Sequence, residues 1–415
     1  MAPESRALRV NLGRLRADIE ALAEIGLKPS GGLNRSVFSP AFEEARSWLR
    51  HRMADAGLAA ESDHAGNLVG RLGGAGPAVM AGSHIDTVPD GGPLDGALGV
   101  LAALECLRVI AEAGLPLSHP LEVAAFADEE GHYIGCLGSR AMAGSLSAEE
   151  VRDARDFDGK ALAEAMRDVG LDPERVAEAR RAQGGIAAYL ELHIEQGPVL
   201  EAKGIPIGIV DAIVGIVQRD IRFIGEPDHA GTTPMDLRKD AFMGAAEFAT
   251  RARELVLELG SEHARLTFGI VEAKPQVANI VPYSARLRQE LRDVTNERLE
   301  VLARETEILA AAIAERHRLG LEVDEVFRTS PAHMSAAVQG RIAEACEELG
   351  LEHLVMPSGA SHDAQVMARI TAAGMIFVPS RGGRSHRPDE WTEWPALEAG
   401  ANVLLQTLLS LGAKT

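Results

Sequence analysis

Cysteine is scarce in this 415-residue sequence, which contains only three. Cys106, Cys136 and Cys346 are odd in number and far apart, so they lack the close spacing of a disulfide framework. Their scarcity favours a reducing, cytoplasmic location, and we expect each cysteine to pack in a core.

Long apolar runs and an excess of basic residues are also missing. No stretch approaches the roughly 20 apolar residues of a membrane-spanning helix, and residues 1–16 lack the apolar segment of a signal peptide. The 42 basic residues are outnumbered by 61 acidic ones, which gives a net charge of −19. Such a surface repels phosphate groups, so nucleic acids and membranes are poor partners, and an anionic substrate would need locally placed arginines.

Short apolar strands alternate with helical segments in the first half of the chain, a pattern typical of an α/β fold. The patterns predict strands at residues 67–72, 78–83, 121–127 and 188–193, and helices at 99–113 and 161–170. The carboxyl ends of such strands form the edge where ligands bind in open α/β sheets.

The pattern changes near residue 211. It then predicts a strand at 213–224, a helix at 236–259, strands at 265–272 and 285–293, a helix at 296–318 and a strand at 321–327. This βαββαβ order is typical of a ferredoxin-like domain. The α/β pattern returns with a helix at 335–349 and a strand at 374–379. We therefore predict a catalytic domain at 1–211 and 330–415, interrupted by an inserted domain at 212–329.

Five residues stand in local contexts that suit the ligands of divalent metal ions: His84, Asp95, Glu130, His193 and His386. Imidazole nitrogens and carboxylate oxygens suit zinc, and manganese, cobalt or nickel are alternatives. Individually, Asp95 is also consistent with a helix cap, His193 with a core histidine and His386 with a surface histidine. Together the five predict a site for two metal ions, with Asp95 as the bridging carboxylate.

Two further carboxylates are predicted to support the chemistry of this site. Asp86 is expected to accept the proton on the second ring nitrogen of His84 and thereby to orient the ring. Glu129 and Glu130 follow an apolar strand, and neighbouring side chains there point in different directions. We assign Glu130 as a metal ligand and Glu129 as the general base that passes a proton from water to the leaving nitrogen. The alternative is a pair of solvated surface carboxylates.

The chain resembles the hydantoinase/carbamoylase-type amidases, relatives of aminoacylases and dizinc carboxypeptidases. The segments that carry the resemblance are 32–35, 82–99, 190–201, 229–240, 357–365 and 385–388, which span nearly the whole chain. The resemblance implies a mixed-sheet catalytic domain and a homodimer formed through the insert. It also implies that His84, Asp95 and His193 hold one metal ion, and that Asp95, Glu130 and His386 hold the other.

The same resemblance implies roles in substrate binding. His229 would reach the active site of the partner subunit and stabilise the oxyanion of the tetrahedral intermediate. Asn279 and Arg292 would bind the substrate carboxylate, for which the planar guanidinium is well suited; the alternative for Arg292 is an ion pair on the strand surface. Gln196 would lie near the ureido group, and Gly359 in the loop that shapes the substrate site, where His362 would be structural.

Two segments depart from the pattern of the family. His132, Tyr133 and Ile134 replace a small residue followed by Arg-Phe, and Arg384 replaces an apolar residue. His132 could bind substrate or simply pack nearby.

These features predict hydrolysis of a linear amide or ureido bond, with an N-carbamoyl-L-amino acid as the leading substrate. An allantoate- or ureidoglycolate-type amidohydrolase and an N-acyl amino acid hydrolase are the alternatives within this class. A hypothesis of another class is an inactive homologue that binds metal and small anions. Glu129 argues against it, because pure binding needs no base.

Overall fold

The computed structural model describes residues 8–413, which divide into two compact units. The first unit contains residues 8–211, His333–Ser358 and 362–413, and the second contains Ala212–Ala332 and Gly359–Ser361. The strands are β1 (Ala59–Ser62), β2 (Leu68–Leu72), β3 (Ala78–His84), β4 (Leu121–Phe126), β5 (Ile186–Ile194), β6 (Ile207–Ile213), β7 (Gly215–Ile224), β8 (Arg265–Lys274), β9 (Ser284–Asp293), β10 (Gly320–Thr329), β11 (Ala332–His333), β12 (His353–Ser358) and β13 (Ala372–Val378).

The helices lie between these strands. They are α1 (Leu12–Ala23), α2 (Pro40–Asp55), α3 (Ala97–Glu112), α4 (Leu137–Ala143), α5 (Ala148–Asp153), α6 (Leu162–Asp168), α7 (Val199–Lys203), α8 (Ala241–Leu259), α9 (Asn296–His317), α10 (Ala336–Leu349), α11 (Asp363–Met367) and α12 (Trp394–Gly412), with 3-10 turns at Pro173–Ala179 and Arg381–Gly383. Within residues 8–413, no helix combines the length and apolar character needed to cross a membrane.

The first unit is built on a mixed sheet, which confirms the predicted α/β class. Within the described residues, nine strands pair in the order β1-β2-β4-β3-β5-β13-β6-β11, with β12 beside β6. Strand β3 pairs in parallel with β4 and β5, and β5 pairs in parallel with β13. The carboxyl ends of these four strands therefore meet at one edge. Helix α3 packs against β3, β4 and β5 and is buried over nearly its whole length, as expected of a helix whose residues are mostly apolar.

The second unit is a four-stranded antiparallel sheet with two helices. The strand order is β10-β7-β9-β8, and α8 and α9 pack against the sheet. Buried residues alternate with partly exposed ones along β9, so that Ala285, Leu287 and Leu291 face a core shared with the helices. The chain order is βαββαβ.

Two predicted boundaries are wrong. Helix α8 begins at Ala241 rather than at residue 236, because the Asp240 side chain accepts hydrogen bonds from the backbone N–H of Phe242 and Met243 at 3.0 and 3.3 Å. The strand predicted at 213–224 begins two residues later, at Gly215. Ile213 is instead the last residue of β6, which belongs to the nine-stranded sheet, whereas β7 belongs to the four-stranded sheet.

Candidate metal centre

Parallel strand ends bring the predicted ligands of the first unit together. His84 is the last residue of β3, His193 lies one residue before the end of β5, and Glu130 follows β4 by four residues. His386 lies in the loop after β13, and Asp95 directly precedes Gly96, the N-cap of α3. The ligand atoms form two overlapping groups, each within 4.8 Å: His84, Asp95 and His193, and Asp95, Glu130 and His386.

Asp95 belongs to both groups because its two carboxylate oxygens face different histidines. Oδ1 lies 3.1 Å from His193 Nε2 and 3.9 Å from His84 Nε2, whereas Oδ2 lies 3.1 Å from His386 Nε2. The N-cap of α3 is Gly96, and no side chain in the described part of the chain caps this helix. The helix-cap alternative for Asp95 is thus excluded, and each of its two carboxylate oxygens faces a different group of donors.

Gly96 allows the close packing of this centre. Its φ is +63°, and a Cβ atom at this position would lie 2.4 Å from the ring atoms of His84. Any larger residue would displace the His84 ring.

Backbone carbonyls orient the two buried histidines. The Nδ1 atoms of His84 and His193 lie 3.0 Å from the Asp86 carbonyl oxygen and 2.8 Å from that of Ile194. When Nδ1 donates its proton to these carbonyls, the Nε2 lone pair is left to bind a metal ion.

Asp86 plays a part different from the predicted one. Its carboxylate oxygen is 3.7 Å from His84 Nδ1, beyond the nearer backbone carbonyl. The carboxylate instead accepts hydrogen bonds from the backbone N–H of Glu129 at 3.4 Å and of Glu130 at 3.2 Å. Asp86 therefore positions the turn that carries the two glutamates.

Glu129 and Glu130 face different donor groups. Glu129 Oε2 lies 3.5 Å from His84 Nε2, and Glu130 Oε2 lies 3.6 Å from His386 Nε2. Each side chain is only 10% exposed, which excludes the alternative of solvated surface carboxylates. Glu130 Oε1 is buried without a hydrogen-bond partner among the described residues. A buried acceptor without a donor fits a bound cation.

The electrostatics of the cluster also suit a cation. Burial, with the neighbouring Glu130 carboxylate, raises the pKa of Glu129 well above its usual value, and burial raises the pKa of Glu130 to about 8. Burial alone would lower the pKa of His193, but Asp95 outweighs it and the pKa rises to about 9. Burial lowers the pKa of His84 to about 4, so this ring is neutral near pH 7. Asp95 likewise raises the pKa of His386 to about 9. The carboxylates and imidazoles of the cluster thus hold protons at the positions that a divalent ion would take over.

Three polar residues complete the surroundings of Asp95. Gln196 Nε2 lies 2.9 Å from Asp95 Oδ2 and 3.1 Å from Ser385 Oγ, and Gln196 Oε1 is buried without a partner among the described residues. Glu390 accepts hydrogen bonds from the backbone N–H of Asp95 and from Ser385. Sequence reasoning missed Ser385 and Glu390, although the Ser-His pair at 385–386 and the nearby acid could have drawn attention to them.

The segment that departs from the family pattern is anchored by Asp128, also missed from the sequence. The Asp128 carboxylate accepts hydrogen bonds from the backbone N–H of His132, Tyr133 and Ile134 at 2.7, 3.0 and 2.7 Å. The His132 ring packs edge-on against Tyr133, with 4.9 Å between ring centroids. Arg384 is half exposed and pairs with Asp389.

Glu191, His193 and His362 form a third group with metal-ligand spacing. Glu191 already accepts hydrogen bonds from Ser83 Oγ at 2.7 Å, Tyr189 Oη at 3.2 Å and the Ala364 N–H at 2.7 Å. His362 Nε2 lies 2.9 Å from Ser358 Oγ. Both oxygens of Glu191 already accept hydrogen bonds, whereas Glu130 Oε1 has no partner among the described residues. This third set therefore suits a metal ion less well than the set of Asp95, Glu130 and His386.

The remaining predicted site residues lie in the second unit. His229 and Asn279 are neighbours, because the Ala230 N–H donates to the Asn279 carbonyl at 2.9 Å and His229 forms a bridge with Ile280. His229 Nδ1 accepts the Gly231 N–H at 3.0 Å, which places its ring proton on Nε2. Arg292 donates to Glu290 Oε1 at 2.8 Å and to the Gly359 carbonyl at 2.6 Å, so the strand-surface ion pair is present.

Comparison with known proteins identifies the family. The model of peptidase family M20/M25/M40 matches residues 80–410. The chain belongs to this family. Members of the M20 family are metal-dependent hydrolases, in agreement with the donor groups around Asp95.

Relatives and solved structures match over nearly the full length. The chain is 39% identical to an N-carbamoyl-L-amino acid amidohydrolase of Geobacillus stearothermophilus, over 96% of this chain and 98% of the relative. It is 36% identical to an allantoate amidohydrolase of Escherichia coli, over 94% and 95%. The crystal structure of a hydantoinase/carbamoylase family amidase from Burkholderia multivorans matches with a TM-score of 0.89 and 32% identity, covering 98% of each chain.

Proposed function

We propose that the protein hydrolyses the carbamoyl C–N bond of an N-carbamoyl-L-amino acid, releasing the amino acid, ammonia and carbon dioxide. The observation that carries the reaction class is Asp95, whose two oxygens face separate groups of metal donors, with Glu129 beside them. The substrate class is supported by the likeness to the N-carbamoyl-L-amino acid amidohydrolase.

The donor groups around Asp95 would hold two divalent metal ions per subunit, zinc being the first choice and manganese, cobalt or nickel the others. Such ions would act as Lewis acids, polarising the scissile carbonyl and lowering the pKa of a coordinated water. The orphaned oxygen of Glu130 and the ring nitrogen of His386 fit this assignment.

The residues of the chain supply the proton transfers. Glu129 takes the proton of the attacking water and delivers it to the leaving nitrogen, a role that suits a carboxylate whose pKa is raised by burial. Gln196 offers Oε1, a buried acceptor that has no partner within residues 8–413, to an N–H of the ureido group.

The second unit would select the substrate. Arg292 and Asn279 bind its carboxylate, and Gly359, which already accepts a hydrogen bond from Arg292, positions the loop beside it. His229 donates its Nε2 proton to the oxyanion in the active site of the partner subunit. This requires a homodimer formed through the second unit.

The three free, buried cysteines agree with a reducing, cytoplasmic location.

A substrate panel tests the proposal. Protein reconstituted with Zn²⁺, Mn²⁺, Co²⁺ or Ni²⁺ is given N-carbamoyl-L-amino acids, allantoate, ureidoglycolate and N-acetyl amino acids, and both ammonia and free amino acid are measured. We expect the N-carbamoyl compounds to have the highest kcat/KM. Faster turnover of allantoate or ureidoglycolate would overturn the proposed substrate, but the proposed reaction class would stand. No turnover of any compound with any metal would overturn the proposal and favour a binding protein.

A further inference from the structure

Glu390 is a buried carboxylate that joins the segment carrying Asp95 to the loop carrying His386. It is only 2% exposed. Its Oε1 accepts hydrogen bonds from the backbone N–H of Leu94 at 3.0 Å and of Asp95 at 2.9 Å. Its Oε2 lies 2.8 Å from the Ser385 Oγ. One side chain thus holds the backbone of the bridging aspartate and the residue that precedes His386.

Close packing fixes Glu390 in this position. A Cβ atom at Gly92 would lie 2.4 Å from both the Cβ and the Oε1 of Glu390. The glutamate therefore fills the space that a side chain at residue 92 would need, and glycine at that position leaves room for it.

Ser385 has two acceptors but a single hydroxyl proton. Its Oγ lies 3.0 Å from Asp95 Oδ2 and 2.8 Å from Glu390 Oε2. Asp95 Oδ2 also accepts a hydrogen bond from Gln196 Nε2 at 2.9 Å. If the Ser385 proton goes to Glu390, this oxygen therefore keeps its second lone pair for a cation. If the proton goes to Asp95, it competes with the cation for that oxygen.

We propose that Glu390 is a positioning residue that draws the Ser385 proton away from Asp95 Oδ2. It thereby strengthens cation binding by the group that Asp95 shares with Glu130 and His386. The inference rests on the two-metal site of the proposed function, and it gives Glu390 a role distinct from anchoring the backbone.

Glu390→Gln separates these two roles. The amide oxygen can still accept the two backbone N–H groups of Leu94 and Asp95, and the amide nitrogen then faces Ser385. Because that nitrogen can only donate, the Ser385 proton is directed to Asp95. We expect one of the two zinc-binding steps to weaken about 10- to 100-fold and the other to change by less than about threefold.

Two further variants make the test specific. His386→Ala identifies the binding step that belongs to the Asp95–Glu130–His386 group, and Glu390→Gln should weaken the same step. Glu390→Gln/Ser385→Ala lacks the competing hydroxyl and should recover most of the lost affinity. A merely structural role for Glu390 predicts no such recovery.

Zinc affinities are measured by competition with a chromogenic chelator, the metal content by elemental analysis and folding by the thermal midpoint. Selective weakening in Glu390→Gln with recovery in the double variant supports the proposal. Two unchanged binding steps, or equal weakening of both steps without recovery, would overturn it and leave the two-metal site intact. If the wild-type protein binds fewer than two zinc ions, the two-metal site itself fails and the inference falls with it.

Discussion

The residues proposed to hold metal and those proposed to choose the substrate occupy contrasting environments. In the first unit, Asp95 and His193 are buried and lie 3.1 Å apart, so the metal donors are positioned by contacts within one sheet edge. In the second unit, His229 and Asn279 are exposed and are held together chiefly through backbone hydrogen bonds. Four of the five proposed metal donors are thus largely buried in the first unit and only His386 among them is half exposed, whereas the side chains of His229 and Asn279 are both accessible. Substitutions in the two regions should therefore have different effects.

The largest effect is expected from Glu129→Gln. Loss of the general base should lower kcat about 100- to 10,000-fold, with the zinc content unchanged because Glu130 still binds. Steady-state kinetics and elemental analysis measure the two quantities. Glu149→Gln, an exposed carboxylate on α5, is the matched control and should retain full activity. Unaltered kcat in Glu129→Gln would remove the residue from the mechanism.

His229→Ala should lower kcat about 100- to 1,000-fold through loss of an oxyanion donor, with KM little changed. Mixing two inactive variants tests whether His229 acts in the active site of the partner subunit. When Glu129→Gln and His229→Ala chains are unfolded and refolded together, the heterodimer has one active site with both residues intact, so about a quarter of wild-type activity should return. If His229 acts within its own subunit, no activity returns.

Arg292→Lys should raise KM about 10- to 100-fold for substrates with a free carboxylate, because a lysine cannot bond a carboxylate bidentately. Substrates whose carboxylate is converted to an amide should be affected much less. Arg288→Lys, on the same strand and face but paired with Asp220, is the matched control. Equal KM changes in the two variants would indicate a general effect on the strand rather than substrate recognition.

The smallest effect is expected from Asp240→Ala, which removes the cap of α8. We expect the free energy of unfolding of the second unit to fall by about 1 kcal/mol, with zinc binding unchanged. Chemical denaturation followed by circular dichroism measures the change. Asp236→Ala, in the loop before the helix, should leave the stability unaltered. Loss of zinc together with stability would contradict the independence of the two regions.

The sequence predicts the parts of the site that follow from regular structure. His84 is the last and His193 the penultimate residue of an apolar strand. Because parallel strands place their carboxyl ends at one edge, the meeting of these two histidines could be expected. Glu390 could not be found in this way. Its contacts with Leu94 and Asp95 span nearly 300 residues and are made to backbone N–H groups, which leave no mark on the side-chain pattern.

The errors of the sequence interpretation have local physical causes. The sequence pattern predicted a helix start at residue 236, but the Asp240 side chain caps a helix that begins at Ala241. For His84, the sequence indicated Asp86 as the partner, yet the carbonyl of that residue is nearer than its carboxylate. Sequence spacing identifies which residue is close, but not which of its oxygens accepts the hydrogen bond.

Crystals of the zinc-loaded protein, measured at the zinc absorption edge, would show directly whether Asp95 lies between two metal ions. We expect two anomalous peaks per chain, about 3.5–4 Å apart on either side of the Asp95 carboxylate. One peak should lie beside His84 and His193, and the other beside Glu130 and His386. A single peak, or a peak held by Glu191, His193 and His362 instead, would contradict the proposed two-metal site around Asp95.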